Sequence, residues 1–367
     1  MPRLFNMVIS DAKLLILYKN IWSARKMFER ILSLITGYPV SFPLTINLVI
    51  TDKCNLFCKM CFLKKSRAVK YDRPETLSLD EIREFIINIG DHKPVIHIGG
   101  GEPFMRGDLL EIISQIKGKG IKCLVTTNGS LMSNTAINSL IGLKTDVLIF
   151  SLYGPENIHD EITGVAGAYK KSIENLKYVL KNKNKRTRIL ISSTILPQNL
   201  SIFDSFLADL KYLRVDGIKI EQLNFLSRKE HSDAIDSNMK GGFNLCPSVF
   251  INDEGFGQKF ISDLVHLNKK ICKNFRNVYM KPYLSKTQLQ DWYSGLPKRD
   301  TSCSFITHSV FINYNGDILP CQFFEDCVLG NIKNDSLEAI WRSKRYQELR
   351  KTIRVSHPSI CMRCCKN

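Results

Sequence analysis

The sequence predicts an α/β protein: an open, partial (β/α)6 barrel followed by a small cysteine-rich α+β domain. Three observations carry this. After Pro43, short apolar runs alternate with helical stretches about six times, the pattern of parallel strands with helices outside. Six units rather than eight leave the barrel open. From Cys303 onward the alternation stops and cysteines concentrate. Four segments follow: 1–42, a basic amphipathic helical segment; 43–225, the barrel; 226–300, a linker with helices; and 301–367, the cysteine-rich domain.

Residues 11–37 come first. Leu14, Leu17, Ile21, Ala24, Phe28, Ile31 and Ile35 recur at helical spacing. Lys13, Lys19, Arg25, Lys26 and Arg30 surround them, against Asp11 and Glu29, and Gly37 and Pro39 end the run. Such a segment either packs on the domain that follows or docks on a membrane surface or partner. The barrel strands are expected at 44–51, 94–98, 121–127, 146–151, 187–194 and 217–223. Helices are expected near 78–90, 107–117, 133–143, 168–182 and 200–213. In such folds the functional residues sit where strands end and loops begin. Residues 257–276 read as a further helix.

Composition sets bounds. The 367 residues are 44% hydrophobic and 24% charged, as in ordinary globular proteins. The net charge of +17 could suit nucleic acid, anionic lipid or an acidic partner, or reflect only a lysine-rich composition. The lysines are dispersed and lack interleaved aromatics, so no nucleic acid is expected. No secretory signal precedes the 12 cysteines. A cytoplasmic protein, peripheral to a membrane at most, with metal-binding thiols is therefore expected. No window of about 18 consecutive apolar residues marks a membrane span.

The first strand runs into Cys54-Asn55-Leu56-Phe57-Cys58-Lys59-Met60-Cys61, three thiols on one loop at C-x3-C-x2-C spacing. Soft thiolates select iron–sulfur clusters, zinc or copper(I), and structural zinc usually takes four ligands in two pairs. Three ligands on a four-iron cluster leave one iron open for chemistry. At these residues the chain resembles the radical S-adenosylmethionine superfamily, departing only in Met60, where an aromatic residue is frequent. The resemblance implies a [4Fe-4S] cluster on Cys54, Cys58 and Cys61. It also implies S-adenosylmethionine on the open iron and a flavodoxin- or ferredoxin-type electron donor. One electron then yields methionine and a 5′-deoxyadenosyl radical, which abstracts hydrogen from substrate.

The second strand runs into Gly99-Gly100-Gly101-Glu102-Pro103. Glycines permit close backbone approach, and a glutamate can accept from an ammonium group. The run is similar to the family's GGEP motif, so Gly100, Gly101 and Glu102 are expected at the cofactor's methionine end. Thr127 and Asn128 end strand three and Ser151 ends strand four, all as candidate cofactor contacts or plain turn chemistry. On strand five, one of Ser192, Ser193 and Thr194 is expected at the ribose, with Ser193 the chosen candidate. Glu221 on strand six is a candidate substrate contact, or a salt-bridge partner for a lysine. His159 and Asp160, before Thr163-Gly164-Val165-Ala166-Gly167, are expected to shape a loop.

Cys303 and Cys321 flank Asn315-Gly316-Asp317, which reads as a hairpin turn. The chain ends in Cys361-Met362-Arg363-Cys364-Cys365. This resembles the SPASM extension in its shorter, twitch-like form, and implies an auxiliary [4Fe-4S] cluster on Cys303, Cys321, Cys361 and Cys364. Four thiolates close a cluster and suit electron transfer; a zinc site is the alternative. Cys327 and Cys365 are spare or substitute ligands, and Cys123 is expected as a buried apolar residue. Cys246 or Cys327 is a candidate hydrogen donor.

The expected function is hydrogen abstraction from a small-metabolite, sugar or lipid-linked substrate. The outcome expected is dehydrogenation, epimerisation or bond formation. The residues preceding the barrel are few for a peptide-recognition domain, yet a ribosomal-peptide maturase is an alternative. A non-catalytic iron–sulfur carrier or redox sensor is another.

Overall fold

The computed structural model describes residues 24–36, 38–63, 76–238, 243, 250–252, 255–275, 277–295, 303–355 and 357–365. Six strands alternate with helices as the hydrophobic pattern requires. They are β1 Thr45–Thr51, β2 Val95–Gly100, β3 Lys122–Thr127, β4 Val147–Ser151, β5 Arg188–Thr194 and β6 Gly217–Glu221. Helix α1 (Ala24–Thr36) precedes them. The crossovers carry α2 (Leu79–Ile89), α3 (Leu109–Gly118), α4 (Asn134–Gly142), α5 (Glu156–Thr163), α6 (Ala168–Asn182), α7 (Pro197–Leu200) and α8 (Phe203–Tyr212). Ser78 caps α2 in a capping box with Glu81, satisfying first-turn amides that would otherwise lack partners.

The main sheet has ten strands in the order β12 (Gly330–Asn331), β11 (Asp317–Leu319), β10 (Ser309–Ile312), β1, β2, β3, β4, β5, β6 and β9 (Val278–Lys281). From β10 through β9 every pairing is parallel. The segment 226–300, expected as a linker with helices, contributes more than that. It holds α9 (Arg228–Asn238), α10 (Gln258–Asn274), α11 (Lys286–Ser294) and β9 (Val278–Lys281), a seventh parallel strand beside β6. A small parallel pair, β7 (Phe225–Leu226) and β8 (Phe250–Ile251), lies outside the main sheet.

The cysteine-rich segment is not a detached module. Its β10 (Ser309–Ile312) pairs parallel with β1. β10 then turns through Gly316, at φ 90°, into antiparallel β11 (Asp317–Leu319), and β11 pairs with β12 (Gly330–Asn331). Short α12 (Phe305–His308) precedes this hairpin. Three helices follow it: α13 (Leu337–Arg342), α14 (Lys344–Val355) and α15 (Ser359–Met362).

Strand alternation splits the core in two. Ile46, Leu48, Ile96, Ile98, Val125, Leu148 and Ile191 pack with the helices. Val95, Leu124, Val147, Ile149, Leu190 and Tyr279 form a separate cluster on the other sheet face. Among the described residues, no helix is long and apolar enough to cross a membrane.

Candidate active site

Cys54, Cys58 and Cys61 leave β1 on a loop held from two sides. Phe57 N donates to Thr163 O (2.8 Å), and Lys59 N donates to Ile162 O (3.0 Å). On the other side Asn128 Nδ2 donates to Asn55 Oδ1, and Asn55 Nδ2 to Ser130 Oγ, both at 2.9 Å. The 162–164 anchor depends on the loop of His159 and Asp160. The Asp160 carboxylate accepts from Gly167 N (2.6 Å) and Tyr169 N (2.9 Å). His159 Nδ1 accepts from Tyr153 N (3.3 Å), and burial pushes the imidazole pKa down to about 4. These residues shape a loop, as the sequence implied, and that loop grips the cysteines.

The three partly buried thiols line a cavity of about 260 Å3. Gly100, Gly101, Thr126, Thr127, Asn128, Ser151, Tyr153, Thr194 and Glu221 line it as well. A Cβ on Gly101 would lie 2.0 Å from Lys53 O, and one on Gly100 would lie 2.3 Å from Thr51 O. Only glycine lets the end of β2 pass this close beneath the cysteine loop.

Glu102 is fully buried behind this wall and is not among the cavity-lining residues. Its carboxylate accepts from Thr127 Oγ1 and Asn128 N, both at 2.7 Å, and from Phe104 N at 3.2 Å. Burial raises its pKa to about 7 against these hydrogen bonds. It therefore braces the Thr127–Asn128 turn from behind. Ser193 also departs from expectation: it is buried and points away from the cavity, whereas Thr194 lines it. The two-residue period of β5 is the reason, since Ser192 and Thr194 share the partly open face. Ser192 Oγ is 3.4 Å from Glu221 Oε2, and Lys219 pairs with Glu221 at 3.0 Å. Glu221 thus lines the cavity and pairs with a lysine.

Sequence reasoning passed over the far wall: Gln222, Leu223 and Asn224 after β6, Phe250, and Gln322 and Phe323 after Cys321. Nothing local marks Gln322 and Phe323; they reach the cavity because β10 joins β1. Tyr153, after β4, lines the cavity too, its pKa held well above the usual phenol range by burial and by Cys58 and Cys61. Cys246 lies outside the described residues. Cys327 is buried, lies on neither cysteine-lined cavity wall, and has its pKa pushed to about 11 by desolvation. Cys123 is fully buried in β3, as expected of an apolar filler.

A second, small cavity of about 20 Å3 is lined by Cys303, Cys321, Cys361 and Cys364 with Phe305, Ile306, Pro320, Phe324 and Ile353. Phe323 lines both cavities, and its ring lies 6.1 Å edge-on from that of Phe62, next to Cys61. Among the described residues no three His, Cys, Asp or Glu side chains converge as a single-ion chelate. Thiols ranged around a void suit a polynuclear cluster.

The C-terminal tail is bolted to the barrel. Buried Arg363 donates to Trp292 O (2.7 Å) and to both Glu230 oxygens (2.9 and 3.0 Å), and stacks 4.3 Å over Phe225. Cys365 Sγ donates to Gln222 O (3.0 Å).

Comparison with known proteins agrees with this layout. Residues 48–210 match the radical SAM superfamily, and residues 303–365 match the SPASM iron–sulfur cluster-binding domain. An AdoMet-dependent heme synthase of Nitratidesulfovibrio vulgaris is 24% identical over 82% of this chain and 79% of its own length. The subtilosin biosynthesis protein AlbA of Bacillus subtilis is 23% identical over 84% of this chain and 61% of its own. The fold is similar to that of Streptococcus suis SuiB: TM-score 0.63, 17% identity, 94% of this chain and 79% of that one.

Proposed function

Because the chain is a radical S-adenosylmethionine enzyme carrying a SPASM iron–sulfur domain, we propose that it abstracts hydrogen from a small-metabolite, sugar or lipid-linked substrate in the barrel cavity. One observation carries this reading: the Cys54–Cys61 thiols, the Gly100–Gly101 backbone and a separate polar wall meet at one cavity.

In this reading Cys54, Cys58 and Cys61 hold the catalytic four-iron cluster. The Gly100–Gly101 backbone receives the methionine end of S-adenosylmethionine, and Thr127, Asn128 and Ser151 its polar edges. When bound, with one electron from a flavodoxin- or ferredoxin-type donor, these cofactors supply methionine and a 5′-deoxyadenosyl radical. Glu102 acts at one remove, fixing Thr127 and Asn128. Glu221, Gln222, Asn224 and Gln322 face the remaining space and orient substrate. Cys303, Cys321, Cys361 and Cys364 hold the auxiliary four-iron cluster. Zinc fits them less well: Zn–S bonds of about 2.3 Å would draw four sulfurs within roughly 4 Å of one another.

The test is anaerobic reconstitution followed by dithionite and S-adenosylmethionine. Release of 5′-deoxyadenosine and methionine, lost in Cys54→Ala, is expected; an electron carrier would release neither. A second reading, ribosomal-peptide maturation, draws on the likeness to AlbA and to SuiB, one structure of which holds the precursor peptide SuiA. Deuterium transfer into 5′-deoxyadenosine from labelled peptide, but not from labelled lipid-linked sugar, would select it.

A further inference from the structure

Helix α1 is an amphipathic helix mounted inside out. In a surface helix of a globular protein the apolar stripe normally faces the core. Here Phe28, Ile31, Leu32 and Ile35, at helical spacing on one face, are each between 41% and 66% exposed. Tyr38, just beyond the helix, is 70% exposed. The part-buried side carries Lys26, Met27, Arg30 and Ser33. Ser33 is buried and donates to Arg30 O (2.9 Å), and Lys26 Nζ donates to Lys93 O. The Ser33 bond lies within the helix; the Lys26–Lys93 bond reaches the domain and holds the helix with its stripe outward. The same apolar spacing runs back in the sequence through Ile21, Leu17 and Leu14.

A second feature adjoins the stripe. Tyr38 opens a cavity of about 460 Å3, larger than the barrel cavity, whose walls include Trp341, Arg342, Arg350, Lys351 and Arg354. Among the described residues that line it there is no carboxylate. Helix α14 carries Lys344, Arg345, Arg350, Lys351 and Arg354 against the single acid Glu348. Arg350 is engaged structurally, donating to Ile306 O (3.0 Å) and Trp341 O (2.9 Å) between the Trp341 and Tyr346 rings. Arg342 pairs with Glu338 (2.9 Å). Lys351 and Arg354 are exposed and make no ion pair among the described residues. Val355, next to Arg354, is 87% exposed.

We infer that this face docks on an anionic phospholipid surface. The stripe Phe28–Ile35 enters the headgroup–acyl boundary, and Lys351 and Arg354 meet lipid phosphates beside Tyr38. An aliphatic stripe with neighbouring unpaired cations is what an anionic bilayer interface complements. Nucleic acid would use the cations and leave the stripe in water. A second copy of this equally basic chain would bring like charges together. The inference goes beyond the proposed reaction and does not depend on it, since docking needs no turnover.

The test is co-sedimentation of the reconstituted full chain with vesicles of phosphatidylcholine, with and without phosphatidylglycerol. Binding is expected only with the anionic lipid and weakens at high salt. Two variants, F28Q/I31Q/L32Q/I35Q and K351E/R354E, should each bind roughly tenfold or more weakly. Both should keep the far-ultraviolet spectrum and the 5′-deoxyadenosine release of the parent chain. Equal binding to neutral vesicles, or binding indifferent to both variants, would overturn the inference. Displacement by inorganic phosphate alone would overturn it too, as would self-association in sedimentation velocity that the glutamine variant abolishes.

Discussion

The two cysteine-lined cavities of this protein are built on opposite principles. The barrel cavity is open and polar: three partly exposed thiols share about 260 Å3 with backbone glycines, hydroxyls, amides and Glu221. The C-terminal cavity is closed and apolar: four thiols face about 20 Å3 among Phe305, Ile306, Pro320, Phe323, Phe324 and Ile353. Thiols beside room and polar groups can take a ligand that reacts. Thiols sealed in apolar packing can hold a group that only exchanges electrons and braces the fold. Phe323, shared by both walls, makes them neighbours.

Substitutions should separate the two. Cys54→Ala, Cys58→Ala or Cys61→Ala should cut 5′-deoxyadenosine release by roughly a thousandfold or more, with part of the iron retained. Cys303→Ala or Cys361→Ala should leave release within about tenfold while lowering iron content and substrate turnover. Equal loss from both sets would break the distinction. Gly101→Ala, whose Cβ meets Lys53 O, should weaken S-adenosylmethionine binding at least tenfold in equilibrium dialysis and spare the auxiliary iron.

The next contrast concerns what fastens each site. Arg363→Met strands Glu230 and should cost about 3–5 kcal/mol in urea denaturation of the apo protein. The double change with Glu230→Leu should recover much of it. The barrel loop instead leans on His159. Its pKa is depressed from 6.5 to about 4, so the folded state holds it neutral while the unfolded chain takes a proton. Stability from this source is complete above pH 6.5 and falls as pH drops toward 4, by at most about 3 kcal/mol. His159→Gln should flatten that dependence in pH-resolved thermal melts. Smallest of all, Cys327→Ser should cost about 1–2 kcal/mol and leave turnover intact, because Cys327 lines neither cavity.

Much of this was legible beforehand. The five strand ends carrying Cys54–Cys61, Gly100–Gly101, Thr127–Asn128, Ser151 and Glu221 follow from hydrophobic periodicity, since strand ends of a parallel sheet share one side. Ser193 was misjudged by one residue, which on a strand means the opposite face. Glu102 was assigned to the cofactor because its type suits an ammonium, whereas burial directs it to Thr127 and Asn128. Strand β9 was hidden because four residues within 226–300 carry little periodic signal.

By itself, the sequence determined the local chemistry: which thiols lie together on a loop, where glycine permits close approach, and the βα order. These depend on spacing of a few residues, which covalent geometry transmits directly. Only the tertiary structure decided that β10 pairs with β1, bringing Gln322 and Phe323 to the barrel cavity. It also decided that Arg363 locks the tail to Glu230, and that α1 turns its apolar face outward. Each of these joins residues far apart in the chain, and such contacts are chosen by packing of the whole core, not by any local pattern.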